Sequence, residues 1–213
     1  MPYRHAPKSV IKRLPIYLRI LDNLIRRDIE IISSKELSEE TGFTAEQIRK
    51  DLAFFGAFGT RGTGYNATYL RDKILKIIGL HKRTSVIVVG AGHLGRALTR
   101  YNMTKNPYVN IVGVFDNDTA VVGEKLYTST IKDVKDMAKF IAENNVKVAI
   151  LAVPAEYAQG VVEQMVEGGI KAILNFAPTK LDVPKGVHVH NADLTIELQS
   201  LIYYTSTAED EEL

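Results

Sequence analysis

At 213 residues and 46% apolar side chains, the chain is long enough for one large domain or two small ones and can bury an ordinary core. It holds no cysteine, which excludes disulfides, zinc–thiolate centres and thiol catalysis and fits a reducing, cytoplasmic compartment. The net charge of +2 divides unevenly: residues 1–83 carry 16 Lys+Arg against 9 Asp+Glu (net +7) and residues 84–213 carry 11 against 16 (net −5), so only the first part is suited to a polyanion.

Residues 1–7 read as a loose arm without the apolar core of a signal peptide, and no apolar run reaches the roughly 18 residues that span a membrane. From Lys8 to about Ile29 the pattern is helical, with Ile11, Leu14, Leu18, Leu21 and Ile25 at steps of three and four. Pro15 predicts a break or kink near Leu14. Lys12, Arg13, Arg19, Arg26 and Arg27 ride on this segment. Ser33 with Glu36 forms a capping box for a short helix that Gly42 closes. Thr44 then caps a second helix, Ala45 to Phe55, which carries Gln47, Arg49 and Lys50, while Ile48, Leu52 and Phe55 can face inward. Two helices joined by so tight a turn make a helix-turn-helix, whose second helix can reach base edges and phosphates in a major groove.

Gly56 to Tyr65 is glycine-rich and holds one arginine, Arg61, beside Gly62. It predicts a β-hairpin wing with Arg61 at or near its tip, suited to a narrow minor groove or a phosphate. The candidate DNA contacts are therefore Lys12, Arg13, Thr44, Gln47, Arg49, Lys50, Arg61, Gly62 and Tyr65. A last amphipathic helix, Tyr69 to Ile78, leads through Gly79-Leu-His-Lys-Arg83 to a domain boundary between 83 and 84.

The second domain opens on Val86 to Val89, a β-branched run suited to a strand covered on both faces. Gly90-Ala91-Gly92-His93-Leu94-Gly95 follows, and then a helix. The first glycine permits the turn, the second lets a pyrophosphate approach the backbone, and the third packs helix against strand. A second apolar run, Val109 to Phe115, ends in Asp116, 21 positions beyond Gly95 (116 − 95). An acid about 20 residues on binds a ribose 2′-hydroxyl, and its charge repels a 2′-phosphate, so NAD(H) is expected over NADP(H). His93 lines the phosphate turn in this reading.

The α/β rhythm continues with a helix over 133–144, a strand over Lys147 to Val153, a helix over Tyr157 to Glu167, a strand over Ile170 to Leu174 and a short strand over Val187 to His190. The expected architecture is a doubly wound parallel sheet, with ligands at the carboxyl ends of its strands. That places Ala152-Val153-Pro154 and Asn175-Phe176-Ala177-Pro178 beside the glycine turn, around the nicotinamide half. His188 and His190 share one face but have no further ligand at metal spacing, so no metal is expected. Asp193 caps a final helix carrying Leu194, Leu198, Leu201 and Ile202 in one stripe, with Ile196, Tyr203 and Tyr204 partly off it. A terminal helix apolar on more than one face calls for a second covering surface, such as a partner subunit. Residues 208–213 form an acidic tail, expected to be disordered.

A winged helix-turn-helix domain over 1–83, then an NAD-type Rossmann domain with a C-terminal helix over 84–213, resembles the Rex family of redox-sensing transcriptional repressors. The residues that carry the resemblance are Arg13 to Arg19, Gln47 to Leu52, Gly59 to Tyr65, Gly90 to Gly95 and Asn175 to Pro178. The resemblance implies a homodimer in which the C-terminal helix is swapped onto the partner. It implies binding to palindromic operators in double-stranded DNA when NADH is scarce, and release when NADH rises relative to NAD+. It further implies that Arg19, Tyr101 and Asp193 link the cofactor site to the DNA-binding domain. Two alternatives have different chemistry. A dehydrogenase would need an acid–base pair and a substrate domain; the sequence offers no convincing His–Asp couple, only one helix and a tail follow the expected strands, and no catalytic residue is expected. A regulator acting through protein contacts alone would show no salt-dependent DNA binding.

Overall fold

The computed structural model describes residues 6–60 and 62–210, with side chains as far as residue 205. The described residues form two compact units, 1–82 and 83–213. Residues 1–5 of the arm expected over 1–7, Arg61 and residues 211–213 of the acidic tail lie outside what is described; residues 208–210, expected to be disordered, continue the final helix.

The N-terminal unit is built on α1 (Lys8–Arg26), which buries Val10, Leu14, Tyr17, Leu18, Leu21 and Leu24 along one side. The break expected at Pro15 does not occur, and the helix runs through it. Pro15 itself is exposed, so its missing N–H leaves the gap on the solvent side. Leu14, Tyr17 and Leu18, at 0, 1 and 3% exposure, anchor the helix on both sides of it. Burial of each such side chain contributes about 1.5–3 kcal/mol, enough together to outweigh the roughly 3 kcal/mol that an interior proline costs.

Three short strands, β1 (Ile31–Ile32), β2 (Gly59–Thr60) and β3 (Gly64–Asn66), form an antiparallel sheet in the order β1-β3-β2. Between them lie α2 (Ser34–Thr41) and α3 (Ala45–Ala53). Ser33 and Glu36 close the capping box at the start of α2, and Gly42 at φ 75° ends it. Thr44 Oγ1 accepts the Gln47 N–H at the start of α3. The hairpin β2–β3 is the expected wing, and α4 (Ala67–Ile77), capped by Asn66, follows it.

The C-terminal unit is a seven-stranded sheet. Its strands are β4 (Thr84–Val89), β5 (Val109–Asp116), β6 (Lys125–Leu126), β7 (Ser129–Asp133), β8 (Val148–Leu151), β9 (Ala172–Asn175) and β10 (His188–Asn191), in the spatial order β10-β9-β8-β4-β5-β7-β6. All pairings are parallel except β6–β7. Setting β6 aside, this is the doubly wound dinucleotide-fold order, with its switch point between β4 and β8. Alternate residues of β4 feed two cores. Ile87 and Val89 pack with Phe115 against α6 (Met137–Glu143) and α7 (Ala155–Gly168). Val86 and Val88 pack on the opposite face with Val114 and with Leu98 of α5 (His93–Lys105). The final helix, α8 (Leu194–Asp210), follows β10. No helix among the described residues is long and apolar enough to cross a membrane.

Candidate functional site

In the C-terminal unit the carboxyl ends of β4, β5 and β8 surround a cleft of about 530 Å³. Gly90, Gly92, Asp116, Ala152, Val153 and Pro154 line it, as does Val89. The three glycines have different reasons to be glycine. Gly90 sits at φ +97°, and a Cβ there would strike the Ala152 carbonyl. A Cβ on Gly95 would strike the Gly90 carbonyl, so α5 could not lie so close to the strand. A Cβ on Gly92 would meet nothing within 4 Å, and its backbone (φ −69°) suits any residue. The fold places no demand on Gly92, and the space beside it is what a pyrophosphate would fill.

Gly92 is also the N-cap of α5 and supplies no side-chain cap, whereas Ser33, Thr44 and Asn66 cap α2, α3 and α4. Open first-turn N–H groups at the positive end of a helix are suited to phosphate. Asp116 closes the other side. Its Oδ2 accepts the Ala91 N–H at 2.5 Å and its Oδ1 the Asp118 N–H at 2.9 Å. Each oxygen keeps a lone pair for a ribose hydroxyl. Arg96 Nε donates to the Ala91 carbonyl at 2.7 Å, so Ala91 is held at both its N–H and its carbonyl.

His93 and Leu94 are exposed on the first turn of α5 and do not line the cleft. Nor do Asn175, Phe176, Ala177 and Pro178. Asn175 is buried and ties the loop after β9, donating to the carbonyls of Ala177 and Thr179 and to Asn191 Oδ1 while accepting the Ala177 N–H. Sequence reasoning missed Asn117, Val134 and the α7 face of Glu156, Tyr157, Gly160, Val161 and Gln164, which complete the cleft. The signal was Pro154, which starts α7 at the strand end and turns its first face inward. Among the described residues no group of three or more His, Cys, Asp or Glu side chains could hold a metal ion.

In the N-terminal unit the polar side chains of α3 are all held. Lys50 Nζ pairs with Glu46 at 2.7 Å, and Arg49 Nη1 donates to Ser34 Oγ at 2.8 Å. Gln47 Nε2 donates to Asp51 Oδ1 at 2.8 Å. Asp51, 1% exposed, also accepts from Arg13 Nη2 on Oδ1 (2.8 Å), and on Oδ2 from Arg13 Nε (2.5 Å) and the Tyr17 hydroxyl (2.6 Å). Arg13 therefore clamps α1 to α3, while Lys12 is exposed. In the wing Gly62, at φ +84°, makes the turn. Tyr65 lies away from the tip, its ring where a Cβ on Gly59 would fall, and burial pushes its hydroxyl pKa up. A second cleft of about 500 Å³, lined by Arg49, Ala53, Phe58, Gly62 and Tyr65 among others, separates α3 from the wing.

The Asp51 cluster makes this unit pH-sensitive at both extremes. Burial pushes the Asp51 carboxyl up, but the hydrogen bonds from Arg13, Tyr17 and Gln47 and the Arg13 charge outweigh it and hold the pKa below the ordinary 3.8. A depressed folded-state pKa confers stability above 3.8 that is lost as pH falls through the lower folded value. The Tyr17 hydroxyl is raised above its ordinary 10, first by burial and then by its bond to Asp51. Its contribution is present below pH 10 and is lost as pH rises, because the unfolded chain then releases a proton that the folded one keeps. Denaturation midpoints of the chain should fall above pH 10, and less steeply in Tyr17→Phe. An identical alkaline decline in the variant would contradict this assignment.

Comparison with known proteins shows the family of the chain. A redox-sensing transcriptional repressor Rex from Natranaerobius thermophilus is 59% identical over 207 residues, 97% of this chain and 94% of the relative. The chain belongs to the Rex family. The Rex repressor of Carboxydothermus hydrogenoformans is 46% identical, over 92% of this chain and 95% of its own. Residues 5–53 match the model of a DNA-binding protein N-terminus, and residues 81–179 that of a CoA binding domain. Among solved structures, RSP in complex with β-NAD+ and operator DNA superposes with a TM-score of 0.92 at 39% identity, over 98% of this chain and 96% of that one. RSP in complex with β-NADH superposes with a TM-score of 0.85 at 38% identity, over 97% of each chain. Membership of a repressor family sets the dehydrogenase alternative aside.

Proposed function

We propose that this chain is a transcriptional repressor that binds palindromic operator DNA as a homodimer and is released by NADH. Residues 1–83 serve as the DNA-binding domain, and residues 84–213 bind NAD(H) and dimerise. The observation that carries the reading is Gly92, a residue the fold does not need, placed over an uncapped helix start opposite Asp116. The cleft suits a dinucleotide better than coenzyme A, because the ribose of coenzyme A carries a 3′-phosphate that the Asp116 carboxylate would repel. Gly90, Gly92 and the first turn of α5 would hold the pyrophosphate, and Asp116 the adenosine ribose. Ala152 to Pro154 would flank the nicotinamide.

When bound, the cofactor supplies a ring that is planar and charged in NAD+, uncharged and puckered in NADH. It moves the DNA-competent equilibrium only through its differential affinity for the two states. Arg19, exposed on α1, Tyr101, 62% exposed on α5, and Asp193, which accepts the Thr195 and Ile196 N–H groups at the start of α8, serve as coupling residues. Lys12, Arg49, Lys50 and Arg61 supply phosphate and groove contacts. Such a protein works in the cytoplasm, beside its DNA and its dinucleotide pool.

Fluorescence anisotropy of a labelled palindromic operator, titrated with NADH and separately with NAD+, tests the reading. Release by NADH at concentrations where NAD+ has no effect is expected. DNA binding indifferent to both would overturn the sensor reading. Tyr101→Phe in the same assay should retain both binding activities and blunt the release; full release by NADH would remove Tyr101 from the coupling.

A further inference from the structure

Asp51 has four hydrogen-bond donors around two oxygens, and one of them belongs to a side chain at the start of the recognition helix. The four bonds, from Arg13 Nε and Nη2, the Tyr17 hydroxyl and Gln47 Nε2, span 2.5–2.8 Å. The carboxyl stays ionised at neutral pH, held down by those donors against its burial. An ionised carboxylate only accepts, so the Gln47 amide must turn its nitrogen toward Asp51. Its carbonyl oxygen is then directed away from Asp51. Gln47 sits in the first turn of α3, is half-buried, and has its backbone N–H on the Thr44 cap. Neither its backbone nor its amide is free to turn over.

We infer that Asp51 is a positioning residue that presents Gln47 to the operator with its oxygen outward, so that this oxygen meets a hydrogen-bond donor on a base edge, while the one amide N–H that Asp51 leaves over can meet an acceptor beside it. In the major groove the donors are the exocyclic amines, N6 of adenine and N4 of cytosine. Guanine and thymine offer only acceptors there and would face the Gln47 oxygen with repulsion. Arg13 takes part from behind: its charge keeps Asp51 ionised, and two of its donor nitrogens are spent on Asp51 rather than on phosphate. The assignment rests on the DNA-binding reading above and adds to it which end of one side chain reads the sequence.

The test uses the full chain and a duplex selected by it from a randomised palindromic library. Gln47→Ala identifies the base pair per half-site at which preference is lost; Asp51 keeps its other three donors in that variant. At that pair, adenine is replaced by purine, or cytosine by 2-pyrimidinone, which deletes only the exocyclic amine. Wild-type affinity should fall about tenfold on that deletion, and Gln47→Ala affinity should not change. Asp51→Ala combined with Arg13→Met frees the Gln47 amide while removing the buried charge together with its partner. It should tolerate guanine or thymine at the same position, with thermal melting as the control for folding. If the double variant does not fold, the amine deletions on wild-type and Gln47→Ala protein decide alone. Equal losses in those two proteins, or a preference that Gln47→Ala leaves intact, would overturn the inference while leaving operator binding standing. Wild-type protein that selects no duplex from the library would overturn the DNA-binding reading itself.

Discussion

Gly92→Ala is expected to lower NADH affinity by about a hundredfold, or roughly 2.8 kcal/mol, while leaving the melting temperature of the chain unchanged. The added methyl meets no protein atom within 4 Å, and a φ of −69° suits alanine as well as glycine. The methyl would stand where the pyrophosphate must approach the first-turn N–H groups of α5. Gly90→Ala and Gly95→Ala give the contrast. Each drives a Cβ into a backbone carbonyl, so loss of binding there would come with loss of stability. Nucleotide titration by intrinsic or NADH fluorescence, paired with thermal melting, separates the two outcomes. Wild-type NADH affinity in Gly92→Ala would move the phosphates elsewhere and remove the main support for the dinucleotide reading. The functional consequence follows by linkage: a variant that cannot bind NADH should hold its operator at every NADH concentration.

The same three glycines explain why this part of the molecule was legible in the sequence. Gly90 and Gly95 each answer a separate steric demand, Gly92 between them is left open by the fold, and Asp116 lies at the end of the neighbouring strand at the expected spacing. The capping residues Ser33 and Thr44 were legible for a similar reason, since they act within three residues of themselves. Pro15 misled because its local cost is real, and only the burial of Leu14, Tyr17 and Leu18 against the rest of the unit overrides it. The hairpin β6–β7 left little trace. It buries only Leu126 and Ile131, and its turn is made by Tyr127 at φ 55°, a conformation its sequence does not advertise. The Asp51 cluster was out of reach altogether. Arg13 and Asp51 lie 38 positions apart, and no periodicity links them. Arg13 read as one more basic residue on a basic helix, and only the folded unit shows that it faces a buried carboxylate.

Leu198→Asp with Leu201→Asp should convert the protein to a monomer and weaken binding to a palindromic operator by at least about a hundredfold. In α8, Leu194, Ile196, Leu198 and Leu201 are 58–64% exposed. Leu194, Leu198 and Leu201 stand at steps of four and three, one above the other on a helix about 25 Å long. Covering each leucine contributes about 1.5–3 kcal/mol, and a twofold dimer covers the stripe twice. Two recognition helices bound to one duplex act at a high effective concentration, and that advantage disappears when the subunits separate. Residues 1–83 are untouched by these substitutions, so affinity for a duplex carrying one half-site should stay within about twofold, well inside a single tenfold step of 1.4 kcal/mol. Sedimentation velocity gives the oligomeric state, and anisotropy on full-site and half-site duplexes gives the two affinities. A dimer that survives both charges would mean that another surface holds the subunits together. A monomer that still binds the full palindrome with wild-type affinity would mean that operator recognition does not depend on pairing the two helices. The expected result, a folded monomer with half-site affinity alone, ties the exposed stripe of α8 to the spacing of the operator.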